Sequence, residues 1–472
     1  MLVDTRGEVT ASSTAPLTLE TPAPGWTEQD PESWWEASCA AIRAVLAQQP
    51  NAKVDAVGIS GQMHSSVFLD KSNAVIRAAL LWSDGRTTAE CREIVARAGG
   101  EARLRDWVSN PALEGFTLPK ILWLRNHEPA AFARLAKVIL AKDFVRLRLT
   151  GTIATEPSDA SGTLLFDPAK LRWSREMLAA VDLAPSLLPD VGGSAEVLGH
   201  VSPAAAKLSG LAAGTPVVGG GADNACGAAG VGAVMPGDAV TSWGTSGTVL
   251  APTAEPRVDP KLRAHTFCHV APGVWYVIGV VLSAGGAFAW YRDQCARELP
   301  EAERDSILVD EAVAIAPGAD GVTFLPYLQG ERTPHRDASL RAAFLGLSLA
   351  HSRAHMTRAV LEGVCFALRD SVTILKELGL MPSALLLTGG GAKSKFIRQL
   401  QADVFGLPVT TVNREEGGAY GAALLAAVGV GAFPNLQTAA QQTLTREPLM
   451  SPNAATHHAY EPIYERFRTR LR

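Results

Sequence analysis

Residues 208–237 read L-S-G-L-A-A-G-T-P-V-V-G-G-G-A-D-N-A-C-G-A-A-G-V-G-A-V-M-P-G and contain a single charged side chain, Asp223. A carboxylate among apolar residues is unfavourable unless donors or a ligand compensate for its lost hydration. The apolar pair Val217–Val218 and the glycines Gly219–Gly221 precede it, as in a strand that leads into a tight turn. Two interpretations follow from this stretch: Asp223 caps a helix that begins at Asn224, or it is a functional carboxylate.

The length and composition favour a globular protein with two large halves. The chain has 472 residues, which exceeds what a single hydrophobic core usually supports. Hydrophobic residues make up 47% of the sequence and charged residues 19%, as in soluble globular proteins. The net charge of -4 offers no basic surface to a nucleic-acid backbone or an anionic membrane, so neither is an expected partner.

Several features favour a cytoplasmic location. The six cysteines are scattered, without a Cys-x-x-Cys pair or a Cys/His spacing suited to zinc, which indicates reduced thiols. The N-terminus lacks the apolar core of a signal peptide. The uncharged stretch 274–291 is long enough to cross a bilayer, but its β-branched run, 277–282, predicts a buried strand, and Ser283–Gly286 predicts a turn into a helix.

Predicted strands and helices alternate along the chain, which indicates the α/β class. The chain opens with a predicted β-hairpin around Thr5–Gly7, then a helix from about Glu28 and a buried strand over 54–60. A tight hairpin over 239–251 predicts the start of a second sheet, so two α/β halves are expected to meet near residues 230–240. The other predicted elements are helices over 87–98, 120–126, 129–135, 143–150, 307–316, 352–378 and 396–405, and strands over 137–140, 217–219, 323–326 and 384–388.

Three glycine-rich turns in the second half are candidates for phosphate or nucleotide binding, because glycine lets backbone N–H groups approach an anion. None of them is a Walker loop or a G-x-G-x-x-G motif, and each is also compatible with an ordinary turn or close helix packing. The turns are Gly244-Thr245-Ser246-Gly247, Gly389-Gly390-Gly391-Ala392-Lys393 and the segment Glu415–Gly421.

Polar clusters follow apolar runs in the first half. Met63 and His64 come directly after the strand predicted to end at Ser60, and the carboxyl ends of strands are the usual ligand side of α/β sheets. Trp82–Arg86 and Ser158–Thr163 are polar clusters that also follow apolar runs. A structural role for His64, and plain Asx turns in the other two clusters, are equally compatible with the sequence. Together with Asp223 between the halves, this distribution favours phosphoryl transfer to a small molecule, with a carboxylate that accepts the proton of the acceptor hydroxyl.

Two long segments resemble the signatures of the FGGY carbohydrate kinases: Gly115–His127, G-F-T-L-P-K-I-L-W-L-R-N-H, and the run from Phe344–Leu347 through His355 to Glu362. Five shorter motifs also resemble segments of this family: G-Q-M-H, L-L-W-S-D-G-R, S-D-A-S-G-T, G-G-G-A-D-N-A-C-G-A and H-T-F-C-H. The resemblance implies a two-domain actin-like ATPase fold, related to ribonuclease H, with the active site in the interdomain cleft. It implies an N-terminal sugar-binding domain over 1–235 and a C-terminal nucleotide-binding domain over 236–472.

The resemblance also implies roles for the residues that match. Asp223 would be the catalytic base, and Met63, His64 and Trp82 would line the sugar pocket with it. Gly244, Thr245, Ser246 and Gly247 would form a phosphate loop, and Gly389, Gly390, Gly391, Ala392 and Lys393 the adenosine side of an ATP site that also uses Mg²⁺, for which no ligands are assigned. The implied reaction is ATP-dependent phosphorylation of D-xylulose to D-xylulose 5-phosphate in pentose catabolism.

The resemblance is also compatible with a kinase of the same family that phosphorylates another ketose or a polyol. Glycerol kinases typically carry Arg-Glu where this chain has Met63-His64, which argues against glycerol. The sequence is compatible with a homodimer but does not fix the oligomeric state.

One departure concerns the N-terminus. Family members begin with a strand and an Asp-x-Gly-Thr phosphate loop, whereas this chain begins at what corresponds to the second strand. About fifteen residues, a strand and its turn, are expected to be missing relative to the family pattern. We expect this chain to be less stable and less active than a chain that contains them, because a sheet edge is exposed and a phosphate loop is lost. We expect a misplaced start codon or a truncation to be the cause of this departure, and the alternative is a non-catalytic sugar- or nucleotide-binding protein.

Overall fold

The computed structural model describes residues 1–414 and 417–470. Its strands are β1 (Leu2–Val3), β2 (Val9–Ala11), β3 (Glu28–Gln29), β4 (Ser60–Gly61), β5 (Ser66–Leu69), β6 (Ala79–Leu80), β7 (Lys137–Leu140), β8 (Ala154–Thr155), β9 (Phe166–Asp167), β10 (Arg172–Trp173), β11 (Asp190–Val191), β12 (Val197–His200), β13 (Pro216–Val218), β14 (Gly221–Ala222), β15 (Val240–Trp243), β16 (Gly247–Thr253), β17 (His265–Cys268), β18 (Trp275–Val281), β19 (Thr323–Leu325), β20 (Ala343–Leu345), β21 (Leu385–Thr388) and β22 (Val409–Thr410).

The α-helices are α1 (Pro31–Gln48), α2 (Thr88–Ala98), α3 (Glu101–Val108), α4 (Thr117–His127), α5 (Pro129–Phe132), α6 (Ala141–Thr150), α7 (Pro157–Ala160), α8 (Arg175–Val181), α9 (Pro203–Ser209), α10 (Asp223–Gly230), α11 (Gly285–Cys295), α12 (Arg304–Val313), α13 (Arg353–Glu377), α14 (Lys395–Phe405), α15 (Gly417–Gly429), α16 (Leu436–Thr443) and α17 (Ala454–Thr469). The predicted α/β class is confirmed. We call the elements up to α10 the first lobe, and the elements from β15 to β22 the second lobe.

The first lobe contains several small sheets. Its largest sheet has the order β3-β6-β5-β7, and β1 and β2 form the predicted antiparallel hairpin. The strand predicted over 54–60 is shorter than expected, because only Ser60–Gly61 pairs with β14 and Val57 makes a single bridge to Val217. The helix predicted from Glu28 begins at Pro31, where the Asp30 side chain accepts from the Glu32 N–H and so caps the first turn.

The second lobe is built on a six-stranded sheet with the order β17-β18-β16-β15-β21-β22. The hairpin β15–β16 is antiparallel, as predicted, while β21 pairs with β15 in parallel. The apolar helix α13 packs over this sheet, and the buried side chains Val360, Val364 and Leu368 belong to the same core cluster as Val249 and Val277. This arrangement brings the carboxyl ends of β15 and β21 to one edge of the sheet.

The two lobes share apolar contacts and hydrogen bonds. The edge strand β17 rests on the first lobe, where the Asn110 side chain donates to the Thr266 carbonyl at 2.8 Å and accepts from its N–H at 3.2 Å. These two bonds imitate strand pairing and cover an otherwise open sheet edge. Helices α15 and α16 also pack on the first lobe, and the Tyr420 hydroxyl donates to the Gly7 carbonyl at 2.8 Å.

No helix within the ranges 1–414 and 417–470 is long and apolar enough to cross a membrane. The uncharged stretch 274–291 forms β18 and the first part of α11 instead, as its β-branched run and its Ser283–Gly286 turn predicted.

Candidate active site

Asp223 and the turn that holds Met63 lie side by side because they follow neighbouring parallel strands. β14 pairs in parallel with β4, and Ala222 lies opposite Gly61. The side-chain amide of Asn224 lies 3.7 Å from Met63 Sδ and connects the two turns. Two of the predicted site residues therefore come together at the carboxyl ends of these strands, where α/β sheets commonly bind ligands.

Asp223 is the first helical residue of α10, and Ala222 occupies the N-cap position, so Asp223 is not the cap that one interpretation predicted. Its Oδ1 accepts from the Asn224 N–H at 2.8 Å and from the Asn224 side-chain amide at 3.1 Å. The side chain is exposed, but the protein atoms around it remove much of its hydration, which raises the pKa of Asp223 to about 6 despite these hydrogen bonds. Such a carboxylate is mostly ionised at neutral pH and can still accept a proton, as a general base requires.

His64 has a left-handed backbone, with φ of 67°. Its ring is buried against Phe116, with ring centroids 4.6 Å apart, and its Nδ1 lies 2.5 Å from the carbonyl oxygen of Gly162. Burial lowers the pKa of His64 well below its usual range, so the ring is neutral at physiological pH. Because a carbonyl only accepts, Nδ1 carries the proton and Nε2 is left as a hydrogen-bond acceptor.

Met63 is buried, and two side chains from different parts of the chain approach its sulfur. The Asn224 amide lies 3.7 Å and the Tyr276 hydroxyl 3.8 Å from Met63 Sδ. Tyr276 belongs to β18 of the second lobe and is fully buried. Sequence reasoning missed this tyrosine because it lies within an apolar strand and carries no local signal of a site.

Trp82 follows β6 and is attached to the same turn. The backbone N–H of Trp82 donates to the hydroxyl of Ser65 at 3.2 Å, and Ser65 directly follows His64 in the chain. From the second lobe, Arg332 Nη2 donates to the Trp82 carbonyl at 3.4 Å, and the guanidinium lies 6.0 Å from the centre of the indole ring. The structure thus brings Trp82 next to His64, and Arg332, which carries no sequence motif of its own, joins the lobes there.

The glycine-rich turns 244–247 and 389–393 lie next to each other in the second lobe. β15 and β21 are parallel neighbours, with Ser242 opposite Thr388, so the turns that follow them share one edge of the sheet. A Cβ on Gly389 would lie 2.5 Å from the Trp243 carbonyl oxygen, and one on Gly391 would lie 2.5 Å from the Trp243 ring. These two glycines are thus required for packing, while Gly390 is exposed, and its Cβ would meet nothing closer than 4.0 Å.

A third turn, Ser283–Gly286, completes this edge. The Gly285 N–H donates to the Gly244 carbonyl at 2.8 Å, and the Gly286 N–H donates to the Thr245 carbonyl at 2.9 Å. From the sequence this turn was expected only to start a helix, although its two adjacent glycines after a strand were a usable signal. An exposed backbone flanked by glycine turns fits a nucleotide phosphate group.

The third glycine-rich candidate has a packing explanation where the structure describes it. Glu415 and Glu416 lie outside the described residues. From Gly417 onward the segment forms α15, which packs closely on α10: a Cβ on Gly421 would lie 2.0 Å from the Cys226 carbonyl oxygen. The small residues of this segment are therefore required by helix contact.

Metal ligands are sparse in this region. Across the described residues, no group of three or more His, Cys, Asp or Glu side chains is placed to hold a metal ion. Mg²⁺ at kinase sites commonly uses one or two carboxylates together with water and substrate phosphates. The exposed carboxylate of Asp223 is compatible with that mode of binding.

Comparisons with known proteins agree with this geometry. The FGGY family of carbohydrate kinases matches with its N-terminal domain over residues 1–230 and its C-terminal domain over residues 239–430. A xylulose kinase of Escherichia coli K12 is 40% identical over 469 residues, covering 99% of this chain and 95% of that protein. A xylulose kinase of Bacillus subtilis 168 is 37% identical, covering 99% and 93%.

The solved structure of a ligand-bound xylulose kinase from Lactobacillus acidophilus superposes with a TM-score of 0.92 at 27% identity, covering 98% of this chain and 93% of that one. The two-lobed α/β architecture is the actin-like ATPase fold that the sequence motifs implied, and the resemblance is confirmed. The chain belongs to the FGGY family of carbohydrate kinases.

Proposed function

We propose that this carbohydrate kinase transfers the γ-phosphoryl group of ATP to the terminal hydroxyl of D-xylulose, which gives D-xylulose 5-phosphate and ADP. The observation that carries the proposal is the position of Asp223 beside Met63 at the ends of two parallel strands, with a hydrogen-bonded link of 3.7 Å through Asn224. The similarity over nearly the whole chain to proteins named xylulose kinases supports the choice of sugar.

Asp223 is the proposed general base. The terminal hydroxyl oxygen of the sugar attacks the γ-phosphorus, the bond from that phosphorus to the β-bridging oxygen breaks, and ADP leaves. The hydroxyl proton passes to the Asp223 carboxylate, whose pKa of about 6 keeps it ionised before the transfer. Because the transition state is loose, most of the rate comes from alignment and charge neutralisation rather than from the base.

Met63, His64 and Trp82 are the proposed sugar-binding residues. Neutral His64 offers Nε2 as an acceptor for a sugar hydroxyl, while the buried thioether and the indole supply apolar surface for the carbon chain. Arg332 holds the Trp82 carbonyl from the opposite lobe, so the two lobes are joined next to the proposed sugar site. Exclusion of water from the closed site would suppress hydrolysis of ATP.

The glycine turns 244–247 and 389–393 are proposed to bind ATP through exposed backbone N–H groups. Mg²⁺, which neutralises phosphate charge in such reactions, would be held chiefly by the nucleotide phosphates with Asp223 as the nearby carboxylate. In this proposal the sugar-binding and nucleotide-binding domains divide between residues 235 and 236, and the reaction takes place in the cytoplasm, where ATP is available.

The test is ADP release by the purified protein with ATP, Mg²⁺ and a panel of D-xylulose, D-ribulose, L-ribulose and glycerol. We expect kcat/KM for D-xylulose to exceed the other values by at least about tenfold, because one well-placed hydroxyl contact discriminates by that much or more. Equal values across the panel would contradict the choice of sugar.

The second candidate function is non-catalytic sugar or nucleotide binding. It is tested by calorimetric titration of the same preparation with D-xylulose and with ATP analogues. Binding of either ligand without ADP release, in a preparation that unfolds cooperatively, would favour the binding protein over the kinase.

A further inference from the structure

Lys120 is a fully buried lysine beneath the proposed sugar site. It lies in the first turn of α4, and its Nζ donates to the carbonyl oxygens of Gly115 at 2.7 Å and His64 at 3.1 Å. It makes no ion pair with any residue in the described ranges. An amine without a carboxylate partner in the interior is unfavourable, so the two carbonyl contacts are what stabilise it there.

His64 is the residue that this amine contacts, and it adopts the left-handed conformation, with φ of 67°. Such a conformation is uncommon for residues other than glycine and persists where the surroundings enforce it. Its carbonyl oxygen accepts from Lys120 Nζ, from the Thr117 hydroxyl at 3.1 Å and from the Ser66 hydroxyl at 3.2 Å. Three donors on one carbonyl hold the peptide plane that follows His64.

The held peptide plane sets the direction of the imidazole. A change of φ from positive to negative would swing Cβ to another side of the backbone, away from the ring contacts with Phe116 and the bond from Nδ1 to the Gly162 carbonyl. Burial lowers the pKa of Lys120 well below its usual range, but an amine keeps at least two N–H donors in either protonation state. The contact with both carbonyls therefore does not depend on the charge.

We propose that Lys120 is a positioning residue for sugar binding: its amine, together with the hydroxyls of Thr117 and Ser66, holds His64 in the left-handed conformation that directs the imidazole toward the sugar. This inference rests on the proposed function, in which His64 contacts the sugar. A merely structural role of Lys120 in the packing of α4 is the competing explanation.

The experiment compares Lys120→Met, His64→Ala and the double variant with the parent protein. Methionine keeps the unbranched shape and most of the length of the lysine side chain and removes its donors. We expect Lys120→Met to raise the KM for D-xylulose by about tenfold or more, as loss of a buried hydrogen-bonding partner does, with the KM for ATP changed by less than about twofold. In the His64→Ala background the same substitution should change the sugar KM by less than about twofold, because the ring to be positioned is gone.

Two further variants keep the test decisive if Lys120→Met does not fold. Thr117→Val and Ser66→Ala each remove one donor to the His64 carbonyl and should raise the sugar KM a few-fold, again only when His64 is present. Thr443→Val is the matched control, since this buried threonine donates to the Ala439 carbonyl at 2.8 Å in α16. It should leave the sugar KM unchanged.

The outcomes separate the two proposals. An equal rise in the sugar KM with and without His64, or an equal rise in the KM for ATP, would overturn the positioning role and leave a structural one. If His64→Ala by itself leaves the sugar KM unchanged, the assignment of His64 to the sugar site fails first.

Discussion

The Ser158 hydroxyl accepts a hydrogen bond of 3.0 Å from the N–H of Ala222, the residue that precedes Asp223. The same hydroxyl donates to Glu156 Oε1 at 2.7 Å, and Ser194 donates to Glu156 Oε2 at 2.7 Å. All three polar side chains are buried, and Ser158 and Glu156 are fully so. The backbone that carries the proposed base is thus fixed by a satisfied polar network, which is how buried groups define one conformation.

Ser158→Ala removes the acceptor of the Ala222 N–H and should lower kcat for D-xylulose about tenfold, because an unpaired buried N–H costs about 1–3 kcal/mol and shifts the backbone next to Asp223. Steady-state kinetics measure the change, and the KM for ATP should stay near that of the parent protein. Ser209→Ala serves as control, since the equally buried Ser209 hydroxyl donates to the Ala205 carbonyl at 2.8 Å within α9. Equal kcat losses in both variants would contradict this prediction.

The kinase rate should depend on the ionisation of Asp223. Desolvation raises the pKa of Asp223 to about 6, so below this pH the carboxyl is protonated and cannot accept the hydroxyl proton. We expect kcat/KM for D-xylulose to rise with pH and level off above pH 6. Asp223→Asn should lower kcat by about 10²–10⁴ and abolish this acid limb, which pH–rate profiles of both proteins would show. An unchanged limb in the variant would assign it to another group.

Gly389→Ala should weaken ATP binding more than sugar binding. The backbone of Gly389 has a φ of 82°, and an added Cβ would lie 2.5 Å from the Trp243 carbonyl oxygen, which would push the turns 389–393 and 244–247 apart. We expect a rise of about tenfold in the KM for ATP, since such overpacking costs about 1–3 kcal/mol. Gly379→Ala is the control that distinguishes backbone strain at a positive φ from collision of the added Cβ. Gly379 has a φ of 76°, and an added Cβ would have no atom within 4 Å. If it raises the KM for ATP equally, the collision is not the cause.

Glu331 should make the protein less stable as pH rises. It is buried, and its Oε1 accepts from the Leu282 N–H at 2.9 Å and the Arg332 N–H at 2.8 Å. Its Oε2 has no hydrogen-bond partner among the residues that the structure describes. Burial raises the pKa of Glu331 to about 8, above the value of about 4.3 in an unfolded chain. Between these values the folded state keeps a proton that the unfolded state has released, so the free energy of unfolding falls as pH rises through this range.

Glu331→Gln imitates the protonated acid and should remove this dependence. The thermal midpoint of the variant should exceed that of the parent protein increasingly from pH 5 to pH 8, as calorimetry at matched ionic strength would measure. A constant difference between the two proteins across this range would show that Glu331 does not titrate differently in the folded state.

The sequence by itself determined the local units and the family of this protein. The hairpin β15–β16, the alternation of strands and helices, and the position of Asp223 after a strand and at the start of a helix all depend on residues close together in the chain. Hydrophobic periodicity and turn residues encode such units directly. The two long signature segments, 115–127 and 344–362, indicate the family by their residues alone, because each is a continuous pattern in the chain.

Only the tertiary structure decided which distant groups meet. Lys120 is an ordinary lysine in a helical pattern, and Tyr276 an ordinary aromatic residue in an apolar strand, yet one contacts the His64 carbonyl and the other lies 3.8 Å from Met63 Sδ. Likewise Arg332 reaches Trp82 across 250 positions of the chain. Their roles depend on the packing of lobes and sheets, and packing joins side chains whose separation in sequence leaves no periodic or local signal.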